Sequence, residues 1–327
     1  MGPPEETALK DGSPKGGWKS WTTKKKLIVL ASVLVFIIVL AVGLGVGLGL
    51  GLGHGSGGEG EGEGSGGSNN NTTTTTTNGT SSAKWQPAVG STWQIQLLYP
   101  INDTSVDVEI YDIDLFDNTK SVIDELHGLG RKVICYFSAG TYEDWRPDAD
   151  KFRRADIGTG LEEWAGENWL NISSQGVREV MVERLDLAQS KGCDGVDPDN
   201  VDGYDNPNGL GLTQADSVDY MNWLAGEAHG RNMSIGLKNA GAIILPVIAN
   251  MQWSVNEQCA QYNECDNYGA FPDNDKPVFH LEYPKQDENN NHLVTGAKKT
   301  KACDFTDSTR FSTLIKNMDL DEWYQTC

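Results

Sequence analysis

Basic side chains are scarce in this chain: 26 Lys and Arg stand against 46 Asp and Glu, a formal net charge of −20. The shortage is uneven. Residues 1–83 hold six lysines and six acids, which cancel, so residues 84–327 carry the whole excess. A surface of that sign repels nucleic acid and anionic polymers and attracts polycations, although acidity also serves plain solubility. Cysteine is absent before residue 135, no Cys-x-x-Cys occurs, and the five histidines are scattered, which argues against a Cys/His zinc framework. No Gly-x-Gly-x-x-Gly follows the first strand-like run, which argues against a dinucleotide-binding sheet. Charge is missing altogether from residues 27–53, and core-forming apolar residues are missing from 54–83.

These last two gaps divide the chain. A helix over the uncharged run 27–53 would span roughly 40 Å, against a hydrocarbon core of about 30 Å. A cleaved signal peptide would have a shorter apolar stretch and a small-residue cleavage site, and neither fits. Lys24, Lys25 and Lys26 precede the run, and the nearest charges after it are acids. The positive-inside rule then predicts a single-pass type II signal anchor in the cell membrane. Residues 1–26 would be a cytosolic tail, 27–53 the transmembrane helix, and everything beyond extracellular. The Gly, Ser and Thr of 54–83, including the threonine run 72–77, predict a disordered stalk suited to O-glycosylation. Sequons at Asn70, Asn71, Asn78, Asn102, Asn171 and Asn232 fit a glycoprotein. All six cysteines lie in 84–327. In an oxidising compartment Cys259 with Cys265 and Cys303 with Cys327 would form local staples; Cys135 and Cys193 fit buried thiols or a third bridge equally well.

Residues 84–327 are long enough for one large domain. Strand-like runs occur at 93–99, 106–114, 132–139, 195–199, 234–239, 253–257, 277–283 and 311–316, and helical periodicity at 119–129, 175–190 and 213–229. The polar stretch 286–301 reads as a surface loop with at most a short helix. Eight strands alternating with helical segments predict a (β/α)8 TIM barrel, with an open doubly wound sheet as the alternative. In such a barrel, function gathers at the C-terminal strand ends. Here those ends read Gln94 and Gln96, Asp112 and Asp114, Tyr136 and Ser138, Asp197 and Asp199, Lys238 and Asn239, Glu257, then Glu282 and Tyr283.

Carboxylates where a strand leaves a core are costly unless they bind or react with something. Asp199 and Glu257 close the fourth and sixth runs, share the parity of their inward-facing neighbours, and form the paired-carboxylate arrangement that glycosidic cleavage requires. Asp199 lies nearer the rim than Asp197, which is assigned to support. Lys238 shares the inward parity of its strand and would keep Asp199 ionised as nucleophile, while Glu257, among other acids, would have its pKa raised and serve as the acid. Tyr136, Trp145, Tyr204 and Tyr283 offer aromatic faces for sugar rings. Asp112, Asp114, Asp202 and Glu282 add more acid than catalysis needs, which a cationic amino sugar would explain. The EF-hand spacing fails from Asp197 because its fifth position is Val201, leaving only an irregular calcium site as a competing reading.

Six runs in order, Tyr111–Asp117, Val133–Pro147, Gly192–Tyr204, Gly236–Ala240, Asn256–Cys259 and Val278–Tyr283, resemble the endo-α-1,4-polygalactosaminidases of glycoside hydrolase family 114 over roughly residues 88–327. The resemblance implies a TIM barrel, catalytic acids at Asp199 and Glu257, and hydrolysis of α-1,4-linked galactosamine runs. In filamentous fungi such runs occur in galactosaminogalactan, an exopolysaccharide, and the membrane-anchored fungal members look especially similar. Where the family pattern reads Val-Glu-Pro-Asp-Asn, this chain has Val196-Asp-Pro-Asp-Asn200, so Asp197 keeps the charge with a shorter reach. No cofactor or metal is required, and a monomer is expected. The competing readings are an exo-acting, α-galactosidase-like enzyme and a non-catalytic sugar-binding surface protein.

Overall fold

The computed structural model describes residues 84–327 apart from Glu163 and Asp287. The expected cytosolic tail, membrane anchor and stalk all fall in 1–83, outside the described residues. Among the described residues no helix is long and apolar enough to cross a membrane.

The strands, in chain order, are β1 (Trp93–Gln96), β2 (Ile110–Asp114), β3 (Lys132–Ser138), an inserted trio β4 (Thr141–Glu143), β5 (Ile157–Gly160) and β6 (Glu167–Leu170), then β7 (Gly195–Asp199), β8 (Ser234–Lys238), β9 (Trp253–Glu257), β10 (Val278–Glu282), β11 (Phe311–Lys316) and β12 (Tyr324–Thr326). Strands β1, β2, β3, β7, β8, β9, β10 and β11 pair side by side in that order, all parallel, and β12 runs antiparallel to β11. The C-terminal strands return toward β1: Trp93 Nε1 donates to Ser312 O at 2.8 Å, Gln94 Nε2 to Glu322 O at 2.9 Å and Leu97 N to Leu320 O at 3.0 Å. The result is a barrel-like sheet with helices, the arrangement of a (β/α)8 barrel. The eight parallel strands overlap the eight strand-like runs of the sequence. The small antiparallel sheet β4-β6-β5 and strand β12 are additions that periodicity missed.

Helix α1 (Lys120–Gly128) follows β2, α2 (Gln175–Lys191) follows the insertion, and α3 (Gln214–Gly230) follows β7. In α2, Val177, Val180, Met181, Leu185 and Ala188 recur at helical spacing and are buried. It stops at Gly192, whose φ of 94° suits glycine. Thr213 caps α3 through a capping box with Asp216, satisfying donors that a helix start leaves open. Later connections are short: α4 (Ile244–Val247), α5 (Cys259–Tyr262), α6 (Ala270–Asp273) and α7 (Gly296–Cys303).

Strand parity splits the core. One face of the strands packs on the helices, and the other fills the barrel with Trp93, Ile95, Ile110, Ile134, Trp253, Val255, Phe279, Leu281 and Leu314. Two glycines make room for the largest of these. A Cβ on Gly236 would lie 2.1 Å from Trp253 Nε1, and one on Gly195 would lie 2.5 Å from Trp253 Cη2. Removing such an indole from a packed interior costs about 3–5 kcal/mol.

Three disulfides are present, Cys135–Cys193, Cys259–Cys265 and Cys303–Cys327. The first settles the open alternative at that pair: it ties β3 to the turn leading into β7, the two strands that carry Tyr136 and Asp199. Among the described residues, the Cys/His/acid grouping with ligand-like spacing is Cys259, Cys265 and His280, and both its cysteines are consumed by the bridge.

Candidate active site

Above the aromatic filling, the inward face turns polar. Asp199 ends β7, Lys238 ends β8 and Glu257 ends β9, three adjacent strands. Each leaves the barrel through a residue in the left-handed region: Asn200 at φ 60°, Asn239 at φ 50° and Gln258 at φ 66°. Asn enters that region with little strain because its short amide bonds locally. Here both amides also hold the site. Asn239 Nδ2 donates to Glu257 Oε2 at 3.1 Å while its Oδ1 accepts from Glu257 N at 2.9 Å. Asn200 Nδ2 donates to Ser138 Oγ at 3.0 Å.

Lys238 is buried, and its Nζ lies 3.6 Å from Asp199 Oδ2 and 3.6 Å from Glu257 Oε2. Those two oxygens are therefore at most twice that distance apart. Tyr136 donates its hydroxyl to Asp199 Oδ2 at 3.0 Å, and Asn200 N donates to Asp199 Oδ1 at 2.7 Å. Tyr283 donates to Glu257 Oε1 at 2.5 Å. Burial alone would discharge Lys238, but Asp199 and Glu257 outweigh it and hold the ammonium charged.

The expected rise in the pKa of Glu257 is not found. Burial pushes it up, yet Lys238 beside it and the bonds from Tyr283 and Asn239 outweigh that and bring it below its ordinary value. The reason is position: Lys238 sits as close to Glu257 as to Asp199, so neither acid is singled out.

The other predicted residues sort by depth. Asp112 and Asp197 are wholly buried below the mouth and do not line it. No hydrogen-bond donor reaches the oxygens of either. They are each other's neighbours, so a proton shared between them is the one bond open to them. Burial and the partner acid raise Asp112 well above the carboxylate range. Burial pushes Asp197 up to about 7, with Lys238 opposing. Asp112, expected among the acids around the mouth, is thus corrected to support, and Asp197 takes the same place rather than contacting substrate, because the strand pleat puts both a layer beneath the rim. Asp114 reaches the cleft wall but is spent there. Its Oδ1 accepts from Phe116 N and Asp117 N at 2.8 and 2.9 Å, and its Oδ2 holds Arg146 at 2.7 Å. Glu282 is not at the mouth. It sits one residue out of phase with Leu281 and Tyr283, and its Oε1 accepts from Ala260 N at 2.8 Å, Gln261 N at 3.2 Å and His280 Nε2 at 3.0 Å, anchoring the start of α5.

Asp199, Lys238, Glu257, Tyr136 and Asp202 line one cleft of about 380 Å³. A second cavity joins it, sharing Asp202, Asn239 and Glu257 and adding Tyr204, Asp205 and Glu264. Burial beside Asp199 pushes Asp202 up to about 6. Sequence reasoning missed the wall built by the insertion between β3 and α2, which brings Glu143, Arg146, Trp164 and Glu167 to the cleft. The insertion is clamped from below. Arg184 of α2 bonds both oxygens of Asp148 at 2.9 Å and donates to Ser138 O at 2.6 Å. The visible signal was a run rich in Trp and acid between two strand-like segments, with no periodicity to place it.

A family model for glycoside-hydrolase family GH114 matches residues 74–327, which include this whole constellation. The chain belongs to glycoside-hydrolase family GH114. It is therefore an enzyme of the glycosidase class. Similar solved structures include Aspergillus fumigatus Ega3 in complex with galactosamine, at 68% identity and TM-score 0.74, covering 75% of this chain and 98% of that one. The glycoside hydrolase domain of PelA from Pseudomonas aeruginosa matches at 10% identity and TM-score 0.55, covering 71% of this chain and 98% of that one; this likeness is one of fold. No match was found among curated proteins.

Proposed function

We propose that this GH114 member is an endo-acting hydrolase of α-1,4-linked galactosamine runs, of the galactosaminogalactan type, working by retention with Asp199 as nucleophile and Glu257 as acid and base. The observation that carries the reading is the bridge of Lys238 between two rim carboxylates. Retaining pairs lie about 5–5.5 Å apart and inverting pairs about 6.5–9.5 Å. The facing oxygens of Asp199 and Glu257 lie within twice 3.6 Å of each other, a closeness compatible with the first range and with the lower part of the second, and the configuration of the product decides between them. Asp199 attacks the anomeric carbon while Glu257 passes a proton to the departing glycosidic oxygen. Water then attacks the glycosyl ester, Glu257 takes its proton, and the Asp199 carboxylate is released. Because Glu257 rests ionised, the first step draws on a protonated minority and is favoured by mildly acidic conditions.

An acidic cleft suits a polycation. The galactosamine bound by Ega3 at 68% identity supports that sugar as the unit recognised. The second cavity supports endo action, since chain bound over Glu257 has room on a further side. The uncharged run 27–53 supports a single-pass type II anchor that holds this domain outside the cell, acting as a monomer. The test is incubation of the protein with de-N-acetylated α-1,4-galactosamine polymer, followed by mass spectrometry of products and NMR of the first-formed anomer. Oligosaccharides of retained configuration are expected. Monosaccharide alone would mean exo action, inverted product would overturn the role of Asp199, and binding without release would overturn cleavage of this polymer.

A further inference from the structure

The wall contributed by β4 and β6 carries an imbalance that the rim pair does not explain. Two guanidiniums, Arg146 and Arg184, face four acids there, Asp114, Glu143, Asp148 and Glu167. Arg146 bonds Asp114 at 2.7 Å and Glu143 Oε1 at 2.9 Å, and Arg184 is committed to Asp148. Glu143 Oε2 is left with Arg184 Nη1 at 3.9 Å, too far to donate, and accepts no hydrogen bond at all. That side chain is only 3% exposed and lines the cleft. Glu167 accepts from Thr141 Oγ1 at 2.9 Å through Oε2, and its Oε1 takes no bond among the described residues. A buried acceptor without a donor is costly. Glu143 Oε2 is sealed on the side of Arg184, so Glu143 acts on the cleft through its charge, and Glu167 Oε1, on a side chain that lines the cleft, is the acceptor left for a donor brought by a ligand. Trp145 and Trp164, 52% and 53% exposed, line the same wall and offer apolar faces to a sugar ring.

We infer that Glu143 and Glu167, with Trp145 and Trp164, form a subsite that reads the charged 2-amino group of one galactosaminyl residue and so selects de-N-acetylated sugar over its N-acetylated counterpart. The inference rests on the proposed substrate and deepens it. An ammonium supplies both the missing donor and the missing charge. An acetamide brings a single N–H and no positive charge, so the excess of acid on this wall stays uncompensated, a penalty by which a polar site discriminates. Burial holds Glu143 up at about 7, with Arg146 and Arg184 opposing, and burial raises Glu167 as well. Seating an ammonium favours both ionised forms, so binding releases protons near neutral pH.

The test compares the wild-type full-length protein with Glu167→Gln and Glu143→Gln on α-1,4-galactosamine oligomers and on N-acetylated oligomers of equal length. Each variant is expected to raise KM for the amine substrate about tenfold, with a smaller change in kcat, and to lower the preference for amine over acetamide by a similar factor. Calorimetric binding of the amine oligomer in buffers of different ionisation enthalpy should show proton release at pH 7 that shrinks in both variants. Melting curves identify a variant that has merely lost its fold, and Glu167, with one partner, is the safer of the two. Equal loss on both oligomers, or unchanged preference and proton release, overturns the subsite. Failure of the wild type to cleave either oligomer while still binding the amine form with proton release would count against the proposed activity and leave the subsite supported.

Discussion

Two pairs of acids stand one above the other inside this barrel, and they have opposite fates. The upper pair, Asp199 and Glu257, is half-buried at the rim, and each acid accepts bonds from a tyrosine and from a neighbouring amide. The lower pair, Asp112 and Asp197, is sealed, with no donor reaching it. Lys238 acts on both, lying within 3.6 Å of the upper acids and pulling more weakly on the lower ones. Burial is deeper in the lower pair and is the largest influence there, whereas at Glu257 it is outweighed. Donors decide whether burial prevails: where bonds and the ammonium converge, as at Glu257, the anion is favoured, and where donors are lacking, a proton is retained. The same residue type is thus a candidate reagent in one layer and neutral filling in the next.

The sharpest way to break this contrast is to neutralise one acid in each layer. Asp199→Asn and Glu257→Gln should each lower kcat on the galactosamine polymer by on the order of 10³-fold or more, with melting unchanged. Asp197→Asn should lower it by less than about tenfold, since the amide still offers Asp112 a hydrogen bond. If Asp197→Asn proves as damaging as Asp199→Asn, the lower pair takes part in the chemistry and the layered assignment fails.

Removing the cation shared by the two layers comes next in size. Lys238→Met takes away the main attraction that holds Glu257 below its ordinary value, while burial continues to push upward. The pKa of Glu257 should rise, and the pH limb governed by its protonation should move toward neutral, with a loss at the optimum of about 10²-fold. A profile that drops in height without moving would mean that Lys238 serves only as packing.

Much of this was legible in the sequence, for identifiable reasons. Strand parity is a strict period of two, so Asp199, Lys238 and Glu257 could be aimed inward from residue spacing alone. Parity also places Glu282 opposite to Tyr283, yet proximity in sequence had grouped them, and the structure separates them. Depth was not legible: Asp112 and Asp114 share a face, and only the register of β2 against β3 shows that one is sealed and the other is bonded to Arg146. The state of Glu257 was misread because a count of nearby acids omits the directions of donors. The wall from Thr141 to Leu170 was invisible because its strands have three or four residues each, too short for a period to register.

The smallest predicted effect concerns stability rather than rate, and it follows from the sealed layer. Burial pushes Asp197 up to about 7, Glu143 to about 7 and Asp202 to about 6. An unfolded chain would titrate these acids near 4. A group whose folded pKa is raised contributes stability that is fully present below its unfolded value and is lost as pH climbs through the folded value. The window for these groups is therefore about pH 4 to 7, and across it they lower the melting temperature as pH rises, while Glu257, Asp216 and His229, whose pKa values are lowered, act in the opposite sense. Burial of Lys316 lowers its pKa to about 7, which adds no slope below that pH, because the lysine is protonated in both states there, and an opposite slope above it. Asp197→Asn removes one ionisation from the sealed layer. Its melting temperature should match the wild type near pH 4.5 and exceed it by a few degrees near pH 7. A variant whose melting temperature instead keeps a constant offset from the wild type between these values would mean that Asp197 is already ionised in the fold, and the contrast between the two layers would be lost.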